Sequence, residues 1–410
     1  MMIDLRSDTV TLPTPAMREA MARAELGDDV YGEDPTVNRL ERMAAEIVGM
    51  EGAMLVPSGT MGNLAAMLTH CGRGTKVFLG AQAHTYVYEA GGAAALGGVV
   101  MTPIRNTSGG ELDLDELREE LERPPDAHFA LPALVALENT HNLCGGSAVE
   151  LSHMAAVADL ARAHNLKVHL DGARIFNAAI ALETTAQKIA ETADSVSFCL
   201  SKGLACPVGS LLCGSREFIG RARRMRKVLG GGMRQAGVIA AAGIVALESM
   251  IDRLVEDHQN ARALAEGLGL VAGLNVWPVK RRTNMVVFEV DGGAPIAAKF
   301  AAAMKDRGVI TSARGSSAFR AVTHHGISRR DIDRVVAAAA EAAGEVVGDC
   351  VKQAFDYEFI ERTFFTARPR RHRDRSVVGV GRRVRTCAGA RGRGRRASGA
   401  PGRSAGAAGG

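Results

Sequence analysis

Short apolar runs alternate with amphipathic segments between about residues 50 and 215. Seven runs of four to seven residues have the pattern of strands, and they lie in AMLVPSG, TKVFLG, GVVMTPI, ALVALEN, LKVHLDG, SVSFCLS and GSLLCG. Helix-like segments such as TMGNLAAMLTH and LSHMAAVADLARAHN separate several of them. Strands that alternate with helices need crossover connections, which favour a parallel sheet. The pattern therefore predicts an α/β fold with a mainly parallel seven-stranded sheet flanked by helices.

A smaller α+β module is predicted after the sheet region. Segments from Gln235 to Gly267 have the composition of long helix, because they are rich in Ala, Leu, Glu and Arg. Strand-like and helix-like stretches then alternate, and Ser328 followed by Asp331 has the spacing of a helix N-terminus. The predicted organisation is a large domain over residues 1–250, a small domain over 251–344 and a tail over 345–410.

The tail differs from the rest of the chain in composition. From Arg362 onward it contains fourteen arginines and one acidic residue, so it carries a charge of +13, and residues 1–361 carry −8 of the overall +5. Few apolar residues are present there, which predicts disorder. A nucleic-acid-binding fold should show a basic face on its folded part, so the acidic main body argues against a nucleic-acid partner. An arginine-rich arm for RNA and an extension without function both remain interpretations of the tail.

The remaining composition limits location and partners. No apolar run approaches the roughly 20 residues needed to span a bilayer, and the N-terminus MMIDLRSDTV lacks the apolar core of a secretory signal. The seven cysteines lack C-x-x-C pairing, so neither a disulfide framework nor a metal site is indicated. We expect a cytoplasmic protein with no membrane partner.

Lys202 ends an otherwise apolar, strand-like run, SVSFCLS. Lysine is rarely buried without a partner, so one interpretation is that the chain has reached the surface there. The other is that Lys202 is a nucleophile, because desolvated lysines form Schiff bases. Pyridoxal phosphate is the commonest cofactor of that chemistry. It would also need an anion at its ring nitrogen, donors for its phosphate and a group packed on its ring.

Candidates for the anion and the phosphate donors follow the ends of predicted strands. Asp171 closes VHLD, and ligands of open α/β sheets bind beyond the carboxyl ends of strands, so Asp171 and Lys202 would emerge at one edge. The alternative is that Asp171 caps the next helix. In PSGTMGN, the turn at Ser58, Gly59 and Thr60 would point backbone N–H groups at an anion. Strand-to-helix turns of this composition also occur without a ligand.

A histidine and four cationic side chains complete the candidates. His84, in AQAHTYVYEAGG, is either the ring-stacking group or a structural histidine. Lys227 and Arg234 surround three glycines in KVLGGGMRQAG, which is either a phosphate-binding segment or a flexible connection. Arg174 and Arg320 would bind a substrate carboxylate if the fold brings them together. Single arginines are otherwise solvated.

Seven stretches, in their order along the chain, resemble the low-specificity L-threonine aldolases. They are LRSDTVT, GDDVYGEDPTVNRLE, PSGTMGN, ENTHN, HLDGAR, SFCLSKGLACPVGS and GGGMRQAG. The resemblance covers residues 3 to about 343 and leaves out the tail. It implies the aspartate-aminotransferase fold (fold type I), pyridoxal 5'-phosphate as cofactor, and a dimer or tetramer with shared active sites. CL before SKG departs from the family pattern and is expected to change packing but not chemistry. The loop NTHNLCGG also departs from it, so the mouth of the pocket is expected to differ.

The resemblance also implies a role for each candidate. Lys202 matches the Schiff-base lysine and Asp171 the partner of the ring nitrogen. His84 matches the histidine stacked on the ring, and His128, in DAHFA, a histidine near the substrate hydroxyl. The other matches surround the cofactor phosphate (Ser58, Gly59, Thr60, Lys227 and Arg234), hold the substrate carboxylate (Ser7, Arg174 and Arg320) or line the site from the neighbouring subunit (Tyr31). Arg174 would also touch the cofactor.

The implied reaction is cleavage of L-threonine, L-allo-threonine and other β-hydroxy-α-amino acids to glycine and an aldehyde. The group that takes the hydroxyl proton stays open between His84, His128 and a water molecule. A β-eliminating or phenylserine-type lyase on the same fold is the alternative enzyme. A protein that only senses the cofactor is the alternative from another class, and the retained arginines and histidines argue against it.

Overall fold

The computed structural model describes residues 2–124 and 126–364, with side chains up to Val346, and the residues up to Asp356 form one compact unit. The described helices are α1 (Pro15–Ala22), α2 (Pro35–Val48), α3 (Gly59–His70), α4 (His84–Val87), α5 (Gly92–Gly97), α6 (Leu114–Leu121), α7 (Leu151–Ala163), α8 (Ile175–Ala181), α9 (Ala186–Ala190), α10 (Arg216–Val228), α11 (Gly237–Ser249), α12 (Leu254–Gly269), α13 (Ala294–Asp306) and α14 (Arg329–Phe364). The described strands are β1 (Ile3–Asp4), β2 (Gly52–Val56), β3 (Thr75–Gly80), β4 (Val100–Ile104), β5 (Leu131–Glu138), β6 (Lys167–Asp171), β7 (Ser195–Cys199), β8 (Ser210–Gly214), β9 (Leu274–Val276), β10 (Met285–Val290), β11 (Val309–Ile310), β12 (Ser312–Arg314) and β13 (Ala318–Val322).

Seven strands form the large sheet, in the order β2-β8-β7-β6-β5-β3-β4. Neighbouring strands are parallel except where β8 pairs with β7 and with β2. Every residue of β7 and β8 is buried, as expected for strands that helices cover on both faces. The predicted α/β class, the mainly parallel sheet and its seven strands are confirmed.

The parallel strands bring the candidate residues to one edge of this sheet. Asp171 ends β6, and β5 ends at Glu138 beside it in register. Lys202 lies three residues beyond the end of β7, and His84 four residues beyond the end of β3. Strand β2 runs antiparallel to β8, which is itself antiparallel to β7, so Gly59 after β2 emerges at the same edge. The carboxyl ends of five strands therefore converge there.

The helical segments predicted over residues 235–267 are two helices, α11 and α12, joined by a turn. Ala240 and Leu247 of α11 pack in the core that surrounds the large sheet. Leu264 and Leu268 of α12 pack in a second core with β10 and α13. One straight helix could not face both cores, so the chain changes direction between them. The periodicity of apolar residues predicts which face of a helix is buried, but it does not predict which core that face packs against.

The second core lies on a four-stranded antiparallel sheet, in the order β12-β13-β10-β9. Strand β1 pairs in parallel with β11, and this pairing brings the N-terminal segment to the edge of the small sheet. The predicted start of the last helix is confirmed, since Ser328 and Asp331 cap each other reciprocally before α14. Helix α14 continues to Phe364, whereas the sequence predicts a tail from residue 345. The rest of that tail, residues 365–410, lies outside the described residues.

The described helices include none that is long and apolar enough to cross a membrane.

Candidate functional site

Two adjoining cavities lie at the shared strand edge, and Lys202 and His84 line both of them. The larger, substrate-side cavity has a volume of about 380 Å³ and is lined mainly by polar and cationic residues: Ser7, Thr9, Tyr88, Asn142, Leu143, Arg174, Ser312, Ala313, Arg314 and Arg320. The smaller, cofactor-side cavity has a volume of about 190 Å³ and is lined by Gly59, Thr60, Asn63, Glu89, Asp171, Ala173, Cys199 and Ser201. Lys202 is half-buried between them, so it does not simply mark the surface.

Asp171 is a buried carboxylate held from two sides. Its Oδ2 accepts a hydrogen bond from Asn63 Nδ2 at 2.8 Å, and its Oδ1 accepts one from the backbone N–H of Ala173 at 3.0 Å. Helix α8 begins only at Ile175, so Asp171 is not its N-cap. A carboxylate has about four lone-pair positions. Asp171 can therefore accept a further hydrogen bond from a cationic donor in the smaller cavity.

The turn after β2 faces the same cavity. Ser58 caps α3, since its Oγ accepts the backbone N–H of Met61 at 3.2 Å. Gly59 and Thr60 line the cavity at the first turn of α3, where backbone N–H groups lack helical partners and attract anions. A Cβ on Gly59 would lie 2.7 Å from Cys199 Sγ. The absence of a side chain at Gly59 therefore lets the turn lie against the end of β7.

Glu89 holds the imidazole of His84. Its Oε1 lies 2.9 Å from His84 Nδ1 and also accepts a hydrogen bond from Asn63 Nδ2 at 2.9 Å. This hydrogen bond raises the pKa of His84 above its usual value, although partial burial works in the opposite direction. Burial raises the pKa of Glu89. Glu138 fixes the backbone of the segment, because its Oε2 accepts the N–H of His84 at 2.6 Å.

Arg174 forms a buried, two-point ion pair with Asp8. Its Nε and Nη2 each donate to a different oxygen of Asp8, both at 2.6 Å. Burial alone would raise the pKa of Asp8, but the charge and hydrogen bonds of Arg174, with Lys202 and Arg320 nearby, hold that pKa well below its usual value. The Nη1 group of Arg174 still has its two N–H donors for a ligand in the larger cavity.

Arg320 and Arg314 enter the larger cavity from the small sheet. Arg320 donates from Nη1 to Asn142 Oδ1 at 2.7 Å and from Nη2 to the carbonyl of Arg6 at 3.1 Å. Its Nε is buried without a partner among the described residues. Arg314 donates to the carbonyls of Asn142 and Leu143, and its guanidinium lies over the ring of Trp277. Burial lowers the pKa of both arginines.

Four predicted site residues lie away from the two cavities. Lys227 is exposed on the last turn of α10, and Arg234 is exposed and pairs with Asp28 at 3.1 Å. Tyr31 is 76% exposed. His128 is exposed on the loop before β5, next to Asp126. The structure of one chain therefore does not bring these four to Lys202, and their roles stay predictions.

Sequence reasoning missed several residues that organise the site. Asp8, Asn63, Glu89 and Asn142 all make the hydrogen bonds described above, and Arg314 lines the larger cavity. Each lies within six residues of a candidate or inside a quoted motif, so proximity was an available signal. Proximity alone does not say which side chain turns inward.

The residues of the smaller cavity fit pyridoxal phosphate. Lys202 offers an amine, Asp171 a buried carboxylate and the first turn of α3 unpaired N–H groups, and His84 borders the space between them. A ring nitrogen of His84 and carboxylate oxygens of Glu89 and Asp171 lie within 4.8 Å of one another. Asn63 bridges the two carboxylates of that group. The arrangement provides an amine nucleophile, an anion and an anion-binding turn in one enclosure.

Residues 4–291 match the family described as beta-eliminating lyase. The chain belongs to this family. It is 48% identical over 336 residues to the low specificity L-threonine aldolase of Escherichia coli K12, covering 82% of this chain and 98% of that protein. It is 44% identical over 333 residues to low-specificity L-threonine aldolase 1 of Arabidopsis thaliana, covering 80% and 93%. The resemblance seen in the motifs is thus confirmed over most of the chain.

Solved structures share the fold. The threonine aldolase of Leishmania major superposes with a TM-score of 0.71 at 19% identity, over 83% of this chain and 99% of that one. An SPT structure with PLP superposes with a TM-score of 0.68 at 21% identity, over 85% and 88%. The predicted fold type I architecture is therefore confirmed.

Proposed function

We propose that this lyase cleaves L-threonine and L-allo-threonine, with other β-hydroxy-α-amino acids, to glycine and an aldehyde. Threonine itself gives acetaldehyde. The observation that carries the proposal is the position of Lys202. Its amine lies between a cavity with a buried anion and a cavity with cationic groups for a carboxylate. Membership of a family whose relatives are named threonine aldolases supports the same reaction.

When bound in the smaller cavity, pyridoxal phosphate would supply an acceptor for the electrons of a bond at Cα of the amino acid, and so would allow that bond to break. Lys202 would hold its aldehyde carbon and Asp171 its protonated ring nitrogen. Backbone N–H groups of Gly59 and Thr60 would bind its phosphate. Asn63 keeps Asp171 in place, because it donates to Oδ2 from a buried position on α3.

Three groups would fix the substrate carboxylate in the larger cavity. Arg174 offers the two N–H donors of Nη1, which Asp8 leaves free, and Arg320 and Ser7 line the same wall. Fixing the carboxylate would hold Cα in one orientation and so select which of its bonds breaks. Positioning of this kind supplies several kcal/mol of the barrier reduction, as an order of magnitude. In this arrangement the Cα–Cβ bond would break.

His84 would accept the proton of the substrate β-hydroxyl. Its Nδ1 faces Glu89, so Nε2 is the nitrogen left for the cavity. A general base works best when its pKa lies near the working pH, and imidazole meets that condition. Removal of the hydroxyl proton lets the Cβ–O bond become a carbonyl as Cα–Cβ breaks, and the aldehyde leaves. A proton returned to Cα completes glycine.

We also propose a homo-oligomer, a dimer or tetramer, in which Tyr31, Lys227 and Arg234 of one subunit serve the site of another. The three residues are exposed, and the ion pair of Arg234 with Asp28 holds its segment close to Tyr31. We further propose that the enzyme is cytoplasmic and takes part in threonine breakdown and glycine formation.

The assignment of Lys202 can be tested by chemical reduction. Borohydride treatment of the loaded enzyme should fix the cofactor to the peptide that contains Lys202, and the absorbance of the bound cofactor at roughly 400–430 nm should disappear. L-Threonine added to unreduced enzyme should give acetaldehyde and glycine in equal amounts. Lys202→Ala should lose the fixed cofactor and lose turnover by orders of magnitude.

Lys188→Ala is the matched control, because Lys188 lies on the surface and pairs with Glu191. If the cofactor is fixed to Lys202 but no acetaldehyde is released, the cofactor site is supported and the aldolase reaction is rejected. Full turnover in Lys202→Ala would reject the site itself.

A further inference from the structure

The larger cavity carries more positive charge than a substrate with one carboxylate can offset. Four cationic side chains line it, namely Arg174, Lys202, Arg314 and Arg320, and no carboxylate group is among its lining residues. Asp8 already offsets the charge of Arg174 from behind the wall. Lys202 is the proposed attachment point of the cofactor, so the guanidinium groups of Arg314 and Arg320 are the two charges left without a counter-charge among the residues that line this cavity.

Both of these guanidinium groups have only uncharged partners among the described residues. Arg320 donates to the side-chain oxygen of Asn142 and the carbonyl of Arg6. Arg314 donates to the carbonyls of Asn142 and Leu143. Buried charges are normally paired with an opposite charge. Two partly buried guanidinium groups without a carboxylate partner are therefore suited to anions that the ligand brings.

The register of the small sheet places the two arginines on one face. Ser312 on β12 lies opposite Arg320 on β13, and Arg314 lies opposite Ala318. Residues two apart on a strand share a face, so Arg314 is the diagonal neighbour of Arg320, about 7–8 Å away between backbones. Both also reach Asn142, one at its carbonyl and one at its side chain. They can thus hold two carboxylates of one small molecule.

Arg314 is held in place before any ligand arrives. Its guanidinium lies 5.6 Å from the centre of the Trp277 ring, and its hydrogen bonds to two successive carbonyls orient its plane. These bonds use one N–H of Nη1 and one of Nη2, so the remaining three of its five donors are available. A pre-oriented guanidinium loses little entropy when a carboxylate binds.

We propose that this enzyme accepts β-hydroxy-α-amino acids that carry a second carboxylate on Cβ, of which 3-hydroxyaspartate is the smallest. This inference rests on the proposed function, because the same cleavage is applied to a dicarboxylic substrate. Arg320, with Arg174 and Ser7, holds the α-carboxylate, and Arg314 holds the carboxylate on Cβ. The Cα–Cβ bond breaks, the hydroxyl proton leaves, the Cβ–O bond becomes a carbonyl and Cα gains a proton. The products are glycine and glyoxylate, and no oxidant is needed.

Binding can be measured apart from turnover with two amino acids that lack the hydroxyl group. L-Aspartate has the second carboxylate, and L-2-aminobutyrate has four carbons without it. The Kd of each for the loaded wild-type enzyme is read from the spectral change of the bound cofactor. We expect L-aspartate to bind at least about tenfold more tightly, because a charge-assisted contact to a guanidinium is strong. Equal or weaker binding of L-aspartate would overturn the proposal.

Variants at Arg314 locate the effect. In Arg314→Gln the affinity ratio of the two probes should fall close to one, and the ratio of kcat/KM for 3-hydroxyaspartate to that for L-threonine should fall about tenfold. Arg314→Lys should keep part of both ratios. Arg329→Gln is the matched control, since Arg329 lies on the surface of α14 and pairs with Asp333. Unchanged ratios in Arg314→Gln would also overturn the proposal.

The assay also separates this inference from the proposed function. Glyoxylate is measured for both diastereomers of 3-hydroxyaspartate, and acetaldehyde for L-threonine, on the same enzyme. Acetaldehyde without a preference for the dicarboxylic probes would reject only the role of Arg314. Absence of acetaldehyde would reject the proposed function. If Arg314→Gln fails to fold, the affinities of the two probes for the wild-type enzyme and the ratios measured for Arg314→Lys still test the proposal.

Discussion

The neighbour that most raises the pKa of His84 is Glu89. The carboxylate lies 2.9 Å from Nδ1 and raises the pKa of the imidazole, while Asp171 acts in the same direction and Lys202 in the opposite one. Glu89 is itself buried and is held by Asn63, so it cannot turn away to solvent. A proton on His84 is therefore favoured by a fixed carboxylate in the wall of the smaller cavity.

Glu89→Gln tests this dependence. The substitution keeps a hydrogen-bonding group at Nδ1 but removes the negative charge, so the pKa of His84 should fall. Neutral His84 is the form that accepts a proton, so activity is lost as the pH drops through its pKa. The acidic limb of kcat/KM should thus move to lower pH. The measurement is kcat/KM for L-threonine against pH.

Glu248→Gln serves as the control for that profile, because Glu248 pairs with Arg39 on the surface. An acidic limb that stays in place in Glu89→Gln would show that His84 does not control it.

At the scale of elements, the first turn of α3 packs against the end of β7. A methyl group on Gly59 would lie 2.7 Å from Cys199 Sγ, and contacts that short force a shift of the backbone or of the cysteine. The same turn presents the N–H groups proposed to bind the cofactor phosphate. Its position is therefore set by a packing contact with a strand and not only by its own sequence.

Gly59→Ala should move the turn and weaken cofactor binding by about tenfold or more, whereas adding Cys199→Ala should restore part of the loss, because the smaller side chain makes room. The measurement is the Kd of pyridoxal phosphate for the two single variants, the double variant and the wild type. A double variant that binds no better than Gly59→Ala would show that the contact with Cys199 is not the cause.

At the scale of the whole molecule, one chain contains both cavities but not all of the predicted groups. Lys227 and Arg234, matched to the phosphate, and Tyr31, matched to the pocket wall, are exposed away from Lys202. A residue that lies away from the site of its own chain can serve an active site only if another copy of the chain brings its site close to that residue. Shared sites between subunits would account for their positions.

Mixing two inactive variants tests for shared sites. Arg234→Gln and Lys202→Ala should each be inactive alone, but subunits exchanged between them should regain about a quarter of the wild-type activity in a dimer, because one site in each mixed dimer is intact. The measurement is acetaldehyde release after co-expression.

Asp171→Asn with Lys202→Ala provides the control, since both residues line the same cavity of one chain. Each site of a mixed dimer of these two variants carries one of the two defects, so this mixture should stay inactive. Failure of the Arg234→Gln mixture, or full activity of Arg234→Gln alone, would argue against a shared site.

The seven strands of the large sheet and the residues of the central chemistry could be predicted from the sequence alone. Apolar runs predicted the seven strands because burial on both faces imposes an apolar composition along the strand. Lys202 and Asp171 could be found because a charged residue at the end of such a run is costly without a role. The motifs then indicated the family, and the relatives confirm it.

Which side chains contact each other depends on the tertiary structure. The pairing of Arg174 with Asp8 joins residues 166 positions apart, and Arg320 meets Asn142 across 178. No local pattern encodes such contacts, because they depend on how the N-terminal segment and the small sheet pack against the large one. The break between α11 and α12 has the same origin, since each helix faces a different core. Local periodicity therefore predicts the helix or strand to which a residue belongs, whereas packing between distant segments determines which side chains it contacts.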